Sequence, residues 1–588
     1  VLYPQTNTHR QVIDLNGFWQ FQLDPDDSGL NSGWNNGFEG GRPIAVPASW
    51  NEQFEDWRDY VGVAWYQTRF DLPANWNGQR ISLRFNSVNY LADVWLNGTH
   101  LGQHEGGHLP FVFEASAILR DEDNVLVVRV DGSLAPDRVP PGGLNGRGGV
   151  SFGRPNLPDT NYDFFPYRGI DRPVLLYATP QQYIEDVTVI TDIDDTQAIV
   201  TVQVDRVGSK DVAQIRARLT GHGADVSDVQ DIGQNATLAF NVPDAAFWSP
   251  QTPSLYDLRL ELVRSDEVVD VYRLRIGIRT IAVEGDQLLL NGEPVQMLGF
   301  GRHEDFAVVG KGLLPALIIK DHAMMQWMGA NSYRTTHYPY SEQQMDIADE
   351  LGFLVIDETP AVGLFFEANG HERRNELCKQ YIRELIDRDK NHPSVVMWSI
   401  ANEPHSVGQG GVPHPLALES FGEQSALVRE LDPTRLVTLV SYTGIGEESF
   451  DSLDVVCLNR YFGWYSQPGQ IDVASQLLSE ELDAMYQRYG KPLLLTEFGA
   501  DTLPGHHAQP PEMFSEEYQA AFIEAYVEVL NSKPYVVGQH VWNLADFKTS
   551  QDHVRMNAYN YKGVLTRDRR PKLAAHKLRQ LWKGGDRR

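Results

Sequence analysis

PSVVMWSIANEP (residues 393–404) opens on eight residues of which six are apolar or β-branched, then stops on Asn402, Glu403 and Pro404. A short apolar run bounded by turn residues reads as a strand buried on both faces. Such a strand has no packing reason to end on a carboxylate held between an amide and a proline. Working outward, similar runs occur at 296–300 (QMLGF), 331–336 (NSYRTT), 353–358 (FLVIDE), 436–441 (LVTLVS), 455–459 (VVCLN), 492–497 (PLLLTE) and 538–543 (GQHVWN). Amphipathic segments lie between them, among them SEQQMDIADELG (341–352), CKQYIRELIDRDK (378–390) and SQLLSEELDAMYQRYG (475–490). Eight strands alternating with helices across residues 276–588 predict a (β/α)₈ barrel.

Upstream the texture is different. Residues 1–180 carry short alternating runs (FWQFQL, WYQTRFDL, ISLRFNSV, ADVWLNG, NVLVVRV) with Asn97-Gly98 as a hairpin signal, which predicts a β-sandwich. Residues 181–275 repeat that rhythm over a length suited to an immunoglobulin-like sandwich. A Gly/Pro-rich stretch at 139–165 is not followed by a phosphate-binding helix and reads as a functional or mobile loop. The predicted class is therefore multidomain, β plus α/β, with two sandwiches before a barrel. At 588 residues the chain exceeds a single core, and its formal charge of −29 argues against nucleic acid or anionic membranes as partners. Cys378 and Cys457, outside any CxxC motif, read as buried reduced thiols. The N-terminal residues show no basic region followed by an apolar one, so a cytoplasmic protein is expected.

Catalytic residues of such barrels sit at the C-terminal ends of the strands. Here those ends carry Arg302, His303 and Glu304, then His337, Asp357 and Glu358, Asn402-Glu403, Asn459 and Tyr461, Glu497, and Trp542-Asn543. Polar groups gathered at one end of apolar strands point to a site. Two carboxylates on separate strands suit glycosidic bond cleavage, in which one acid protonates the leaving oxygen and the other attacks or stabilises the anomeric carbon. Their surroundings must split their pKa values. Glu403 and Glu497 are the expected pair. His303, His322, His337, His371, His392, His405 and His414 show no HExxH or i,i+4 ligand spacing, so no metal site is expected.

NSYRTTHYPYSEQQMDIADELGFLVIDE (331–358) and RDKNHPSVVMWSIANEP (388–404) resemble the two signature regions of glycoside hydrolase family 2, and GRPIAVPASWNEQF and VAWYQTRF resemble its sugar-binding jelly roll. The order jelly roll, immunoglobulin-like sandwich, barrel is similar too. Within the family, DFFPYRGIDRPVLLY (163–177), GFGRHED (299–305), LNRYFGWY (458–465), LLLTEFGADTLPG (493–505) and NYKGVLTRDRRPK (560–572) resemble the members that cleave β-glucuronides. The resemblance implies a retaining exo-acting hydrolase without a cofactor, acting on glucuronide small molecules or oligosaccharide ends and assembled as a homo-oligomer, dimer or tetramer. It implies Glu403 as acid/base, Glu497 as nucleophile and Asn402 at the sugar 2-hydroxyl. It further implies Asn560 and Lys562 as the clamp on the C6 carboxylate, and Asp163, His303, Asn459, Tyr461, Tyr465 and Trp542 as other pocket positions, with Tyr461 hydrogen-bonded to Glu497. A β-galacturonide or neutral-sugar hydrolase, and more remotely a non-catalytic carbohydrate-binding protein, are the alternatives.

The clamp has a physical rationale: a carboxylate needs a cation and a neutral donor at fixed separation, and Asn560-x-Lys562 lies in the most basic stretch of an acidic chain. Two departures accompany the resemblance. Four residues, MNAY, separate Arg555 from Asn560 where some relatives carry three, which argues against Arg555 reaching the carboxylate. The loop at 361–376 is short beside the lid-like insertion of some bacterial relatives, which predicts an open mouth.

Overall fold

A computed structural model of the chain describes residues 2–76, 78–143, 158–160, 162–209, 213–366, 369–408 and 411–584. Most of the Gly/Pro-rich stretch (144–157 and 161) lies outside the described residues, as do 367–368 of the loop predicted to leave the mouth open. Eight parallel strands close into a barrel in sequence order. They are β1 (Met297–Arg302), β2 (Ser332–Thr335), β3 (Leu354–Glu358), β4 (Val395–Asn402), β5 (Leu436–Ser441), β6 (Val456–Asn459), β7 (Leu493–Glu497) and β8 (Val536–Val541). Each overlaps its predicted run to within about two residues, the usual uncertainty of an element boundary.

The barrel explains why the strands are so apolar. Every residue of β4 is buried. Trp398 and Ile400 join the large core beneath the helices, whereas Val396 and Met397 pack with Leu354, Ile356, Cys457 and Leu494 in a second cluster. Both cysteines are buried and free, and burial pushes each thiol up to about 12, leaving them inert and protonated. Among the described residues no helix is long and apolar enough to cross a membrane.

Ahead of the barrel, a six-stranded antiparallel sheet that includes Gly17–Leu23, Val63–Phe70 and Asn124–Asp131 faces a four-stranded sheet that includes Arg80–Phe85 and Val174–Thr179. Trp19, Phe21, Trp50 and Tyr66 fill the space between them. A smaller sandwich of three and four strands follows, in which Gln197–Val207 alternates inward and outward residues over its own aliphatic core. Buried ion pairs tie the three bodies together: Arg10 to Asp270 between the sandwiches, and Arg84 to Glu342 from the first sandwich to the barrel, 2.8 Å. The loop carrying Asp163 meets the barrel directly, Phe165 N–H donating to Lys548 O at 2.9 Å.

Candidate active site

The mouth opens into a cavity of about 1320 Å³ lined by Asp163, His337, Asn402, Glu403, Asn459, Tyr461, Tyr465, Glu497, Trp542 and Arg555, among others. The ends of β4 and β6 are not regular. The β4–β5 register shifts between Ser399 and Asn402, and the β6–β7 register shifts between Leu458 and Asn459. Such shifts re-aim side chains at the end of a strand. Glu403 then takes a left-handed backbone with φ of 46°, held by its N–H donating to Val440 O at 2.8 Å. For a residue with a Cβ that conformation costs about 1–3 kcal/mol, a strain typical of functional positions. The apolar strand thus ends on a carboxylate because its last turn presents that group to the cavity.

Asn459 joins the two glutamates. Its Nδ2 donates to Glu403 Oε1 at 2.8 Å, while its Oδ1 accepts from the hydroxyl of Thr496, the residue before Glu497, at 2.9 Å. Glu497 Oε2 accepts from the Tyr461 hydroxyl at 2.7 Å, as anticipated. Its Oε1 accepts from Arg334, a fully buried guanidinium that also donates to both oxygens of Glu358 at 2.8 and 2.7 Å and to Asn402 Oδ1 at 3.3 Å. Glu358 further holds Ser399 and His337, at 2.8 and 2.9 Å. Although burial opposes it, Arg334 keeps Glu358 below the usual carboxylate range, so this lower layer is a fixed anion and a fixed cation.

The two cavity carboxyls differ in their partners. Burial pushes Glu403 up, with only the Asn459 amide as its main counterweight. Burial and the adjacent Glu403 push Glu497 up to about 8, against Arg334 and Tyr461. Taken singly, that value would leave Glu497 protonated at neutral pH. Two facing carboxyls in a dry site instead hold one proton between them. The charged donor and the hydroxyl on Glu497 favour its anion, so the shared proton resides on Glu403. Activity that needs one protonated and one ionised member should then fall in base as Glu403 gives up its proton, a loss that burial delays, and fall again in acid as Glu497 is protonated, which burial and the Glu403 charge bring on at a higher pH than for an ordinary carboxyl. A kcat/KM profile from pH 4 to 10, about three units either side of neutrality, checks the bell shape.

At the far side of the cavity lies a cluster of cations and carboxylates. Arg555 Nε donates to Asp163 Oδ1 at 2.9 Å and its NH2 group to Asp163 Oδ2 at 2.5 Å and Tyr465 OH at 2.7 Å. Asn560 Nδ2 also donates to Asp163 Oδ2, at 2.7 Å. Lys562 Nζ donates to Tyr465 OH at 2.9 Å and is ion-paired with Asp501. Lys562 and Arg555 in turn hold Asp501 below the usual range, against the pull of burial. Asn560 and Lys562 therefore stand one layer behind the wall, touching it through Asp163 and Tyr465.

Three sequence-based expectations change here. Arg555 does line the cavity, and the four residues between it and Asn560 include left-handed Asn557 and Ala558, both at φ 57°. His303 does not line it, but packs behind Trp542 with ring centroids 5.4 Å apart, and His337 supplies the imidazole at the wall. The basic stretch is not one patch, because Arg567 pairs with Asp305, Arg569 with Asp321 and Lys572 with Asp546, leaving only Arg555 and Lys562 toward the site. Arg334, Asp501 and the placing of Glu358 were not anticipated. An arginine inside the four-residue strand SYRT, buried throughout, was the available signal. Among the described residues, Asp346, Asp349 and His392 alone have metal-like spacing. His392 is ion-paired with Asp349, 2.6 Å away, which against burial pushes the imidazole up to about 9.

Comparison with known proteins is consistent across the chain. Residues 12–180 match the glycosyl hydrolases family 2 sugar binding domain, 182–279 match glycosyl hydrolases family 2, and 281–585 match the family 2 TIM barrel domain. A Beta-glucuronidase of Paenibacillus borealis is 37% identical over 99% of this chain and 98% of its own. A Bifidobacterium dentium β-glucuronidase complexed with coumarin-3-O-glucuronide superposes with a TM-score of 0.93 at 36% identity, over 99% of each chain. A Ruminococcus gnavus β-glucuronidase in complex with D-glucaro 1,5-lactone superposes with a TM-score of 0.91, also at 36% identity and 99% coverage of each chain.

Proposed function

The chain belongs to glycosyl hydrolase family 2, and we propose that within it the protein is a retaining, exo-acting β-glucuronidase. It releases glucuronate from the end of a β-glucuronide by double displacement. Glu497 attacks the anomeric carbon while Glu403 gives its proton to the departing oxygen, forming a covalent glycosyl–enzyme. Glu403, now a base, takes a proton from the water that cleaves that bond, and the pair returns to its singly protonated state.

The observation that carries this reading is one cavity with two carboxyls in opposed electrostatic settings and a cationic cluster across from them. Asn402, hydrogen-bonded to Arg334 and Asn459, is suited to the sugar 2-hydroxyl. Trp542 offers an apolar face beneath the ring. Arg555 and Tyr465 at the wall, backed by Lys562 and Asn560 through Tyr465 and Asp163, make the site for the C6 carboxylate. The same resemblance carries the proposal of a homo-oligomer, which sedimentation velocity tests.

Lys562→Ala separates this reading from a neutral-sugar hydrolase. A charge-assisted contact is worth about 1.5–3 kcal/mol, so kcat/KM for a chromogenic β-glucuronide should fall about 10- to 100-fold. Turnover of the matching β-galactoside should not fall. Equal losses on both substrates would assign Lys562 a structural role. A galacturonide measured beside them reads the preference at C4.

A further inference from the structure

The clamp and the proton donor fix the direction in which the leaving group must depart. In a closed ring of eight strands, those four positions apart lie opposite one another. The clamp residues follow β7 and β8, so the opposite arc is that of β3 and β4, with β5 beside it. His405 and Tyr442, from the loops after β4 and β5, both line the cavity. Tyr442 is 40% exposed. Its hydroxyl lies 3.1 Å from His405 Nδ1, and the two rings meet nearly edge to face, 6.2 Å apart at 81°. Tyr442 and Glu403 line the same cavity, and burial followed by the Glu403 charge raises the Tyr442 hydroxyl.

This pair of loops is built to stay in place. Glu447, 1% exposed, accepts from Ser406 in the β4 loop, from Ser441 at the end of β5 at 3.1 Å and from Thr443 in the loop after it at 3.3 Å. The Tyr442 carbonyl accepts from Arg460 at 2.6 Å. Arg460, itself paired with Glu481, forms the adjoining rim of the cavity. The space is larger than the roughly 300–1,000 Å³ that a drug-sized ligand fills.

We propose that Tyr442 and His405 form a leaving-group subsite that takes a hydroxylated sugar ring, making β-glucuronyl saccharides the preferred substrate class. A pyranose presents a C–H face to the exposed tyrosine and hydroxyls to His405, Arg460 and Glu481. A wholly apolar leaving group would strip water from those polar groups without replacing its hydrogen bonds. The subsite rests on the glucuronidase reading above, because it is Glu403 as proton donor that places the leaving oxygen on this side.

The test compares a β-linked glucuronyl disaccharide with an aryl β-glucuronide. Tyr442→Ala should lower the ratio of kcat/KM for the disaccharide to that for the aryl substrate by about tenfold. Tyr442→Phe, which keeps the ring, should restore most of it. Should Tyr442→Ala fail to fold, judged by its thermal melt, His405→Ala at the rim should show the same selective loss. An unchanged ratio in the folded variants overturns the subsite, and so does a wild-type enzyme that cleaves the aryl glucuronide but not the disaccharide. A wild-type enzyme that cleaves neither glucuronide overturns the underlying activity and the subsite with it.

Discussion

Glu497→Gln is expected to lower kcat on an aryl β-glucuronide by about 10⁴-fold or more while leaving the protein folded. The amide is nearly the same size as the carboxylate and can still meet Tyr461, but it cannot form the glycosyl ester on which the second step depends. The opposed roles of the pair can be read from product stereochemistry. With Glu497→Gly, azide entering the vacated space should attack the face opposite the leaving group and give an α-azide. With Glu403→Ala, the glycosyl–enzyme still forms from a substrate with a good leaving group, and azide should intercept it to give a β-azide. Proton NMR of the anomeric centre distinguishes the two products. A Glu497→Gln enzyme with undiminished turnover, or the two azides exchanged between the variants, would sink the assignment.

Arg334→Gln should produce the second large effect, at a residue that touches neither the leaving group nor the clamp. Its guanidinium is fully buried between Glu358 and Glu497. Removing one partner of a buried ion pair leaves uncompensated charge and costs about 3–5 kcal/mol of stability, to be read by chemical denaturation. The kinetic consequence has a definite sign. Arg334 favours the ionised form of Glu497, opposing the upward push of burial. Without it, Glu497 keeps its proton to higher pH. The nucleophile must be ionised to act, so the acid limb of kcat/KM should move upward and the bell should narrow. A neighbouring opposite charge shifts a carboxyl by about one to three pKa units, so on the acid side of the bell kcat/KM should fall about 10- to 1,000-fold, and less at neutral pH. Arg334→Lys should recover part of both effects. If Arg334→Gln loses stability but keeps its acid limb in place, the residue only supports the fold.

Much of this was legible along the chain because it is written in local patterns. β1 to β8 are continuous apolar runs, and burial on both faces is what such runs require. Asn402, Glu403 and Glu497 stand out because each interrupts a run at the end where barrel sites form. The two sandwiches follow from alternation with a period of two, as in Gln197–Val207.

What no run of residues could disclose is which charges meet. Arg334 is separated from Glu358 by 24 positions and from Glu497 by 163, and it serves both because β2, β3 and β7 open onto one mouth. Asp163 reaches Arg555 across 392 positions, from the end of a sandwich to a loop of the barrel. The tertiary structure likewise decides that His337 rather than His303 stands at the wall, and that Arg567, Arg569 and Lys572 are spent on internal pairs. Side-chain periodicity is a property of neighbours along the chain and so survives in the sequence. Electrostatic partnership depends on distance through space and on the exclusion of water, and both arise only once the barrel has closed.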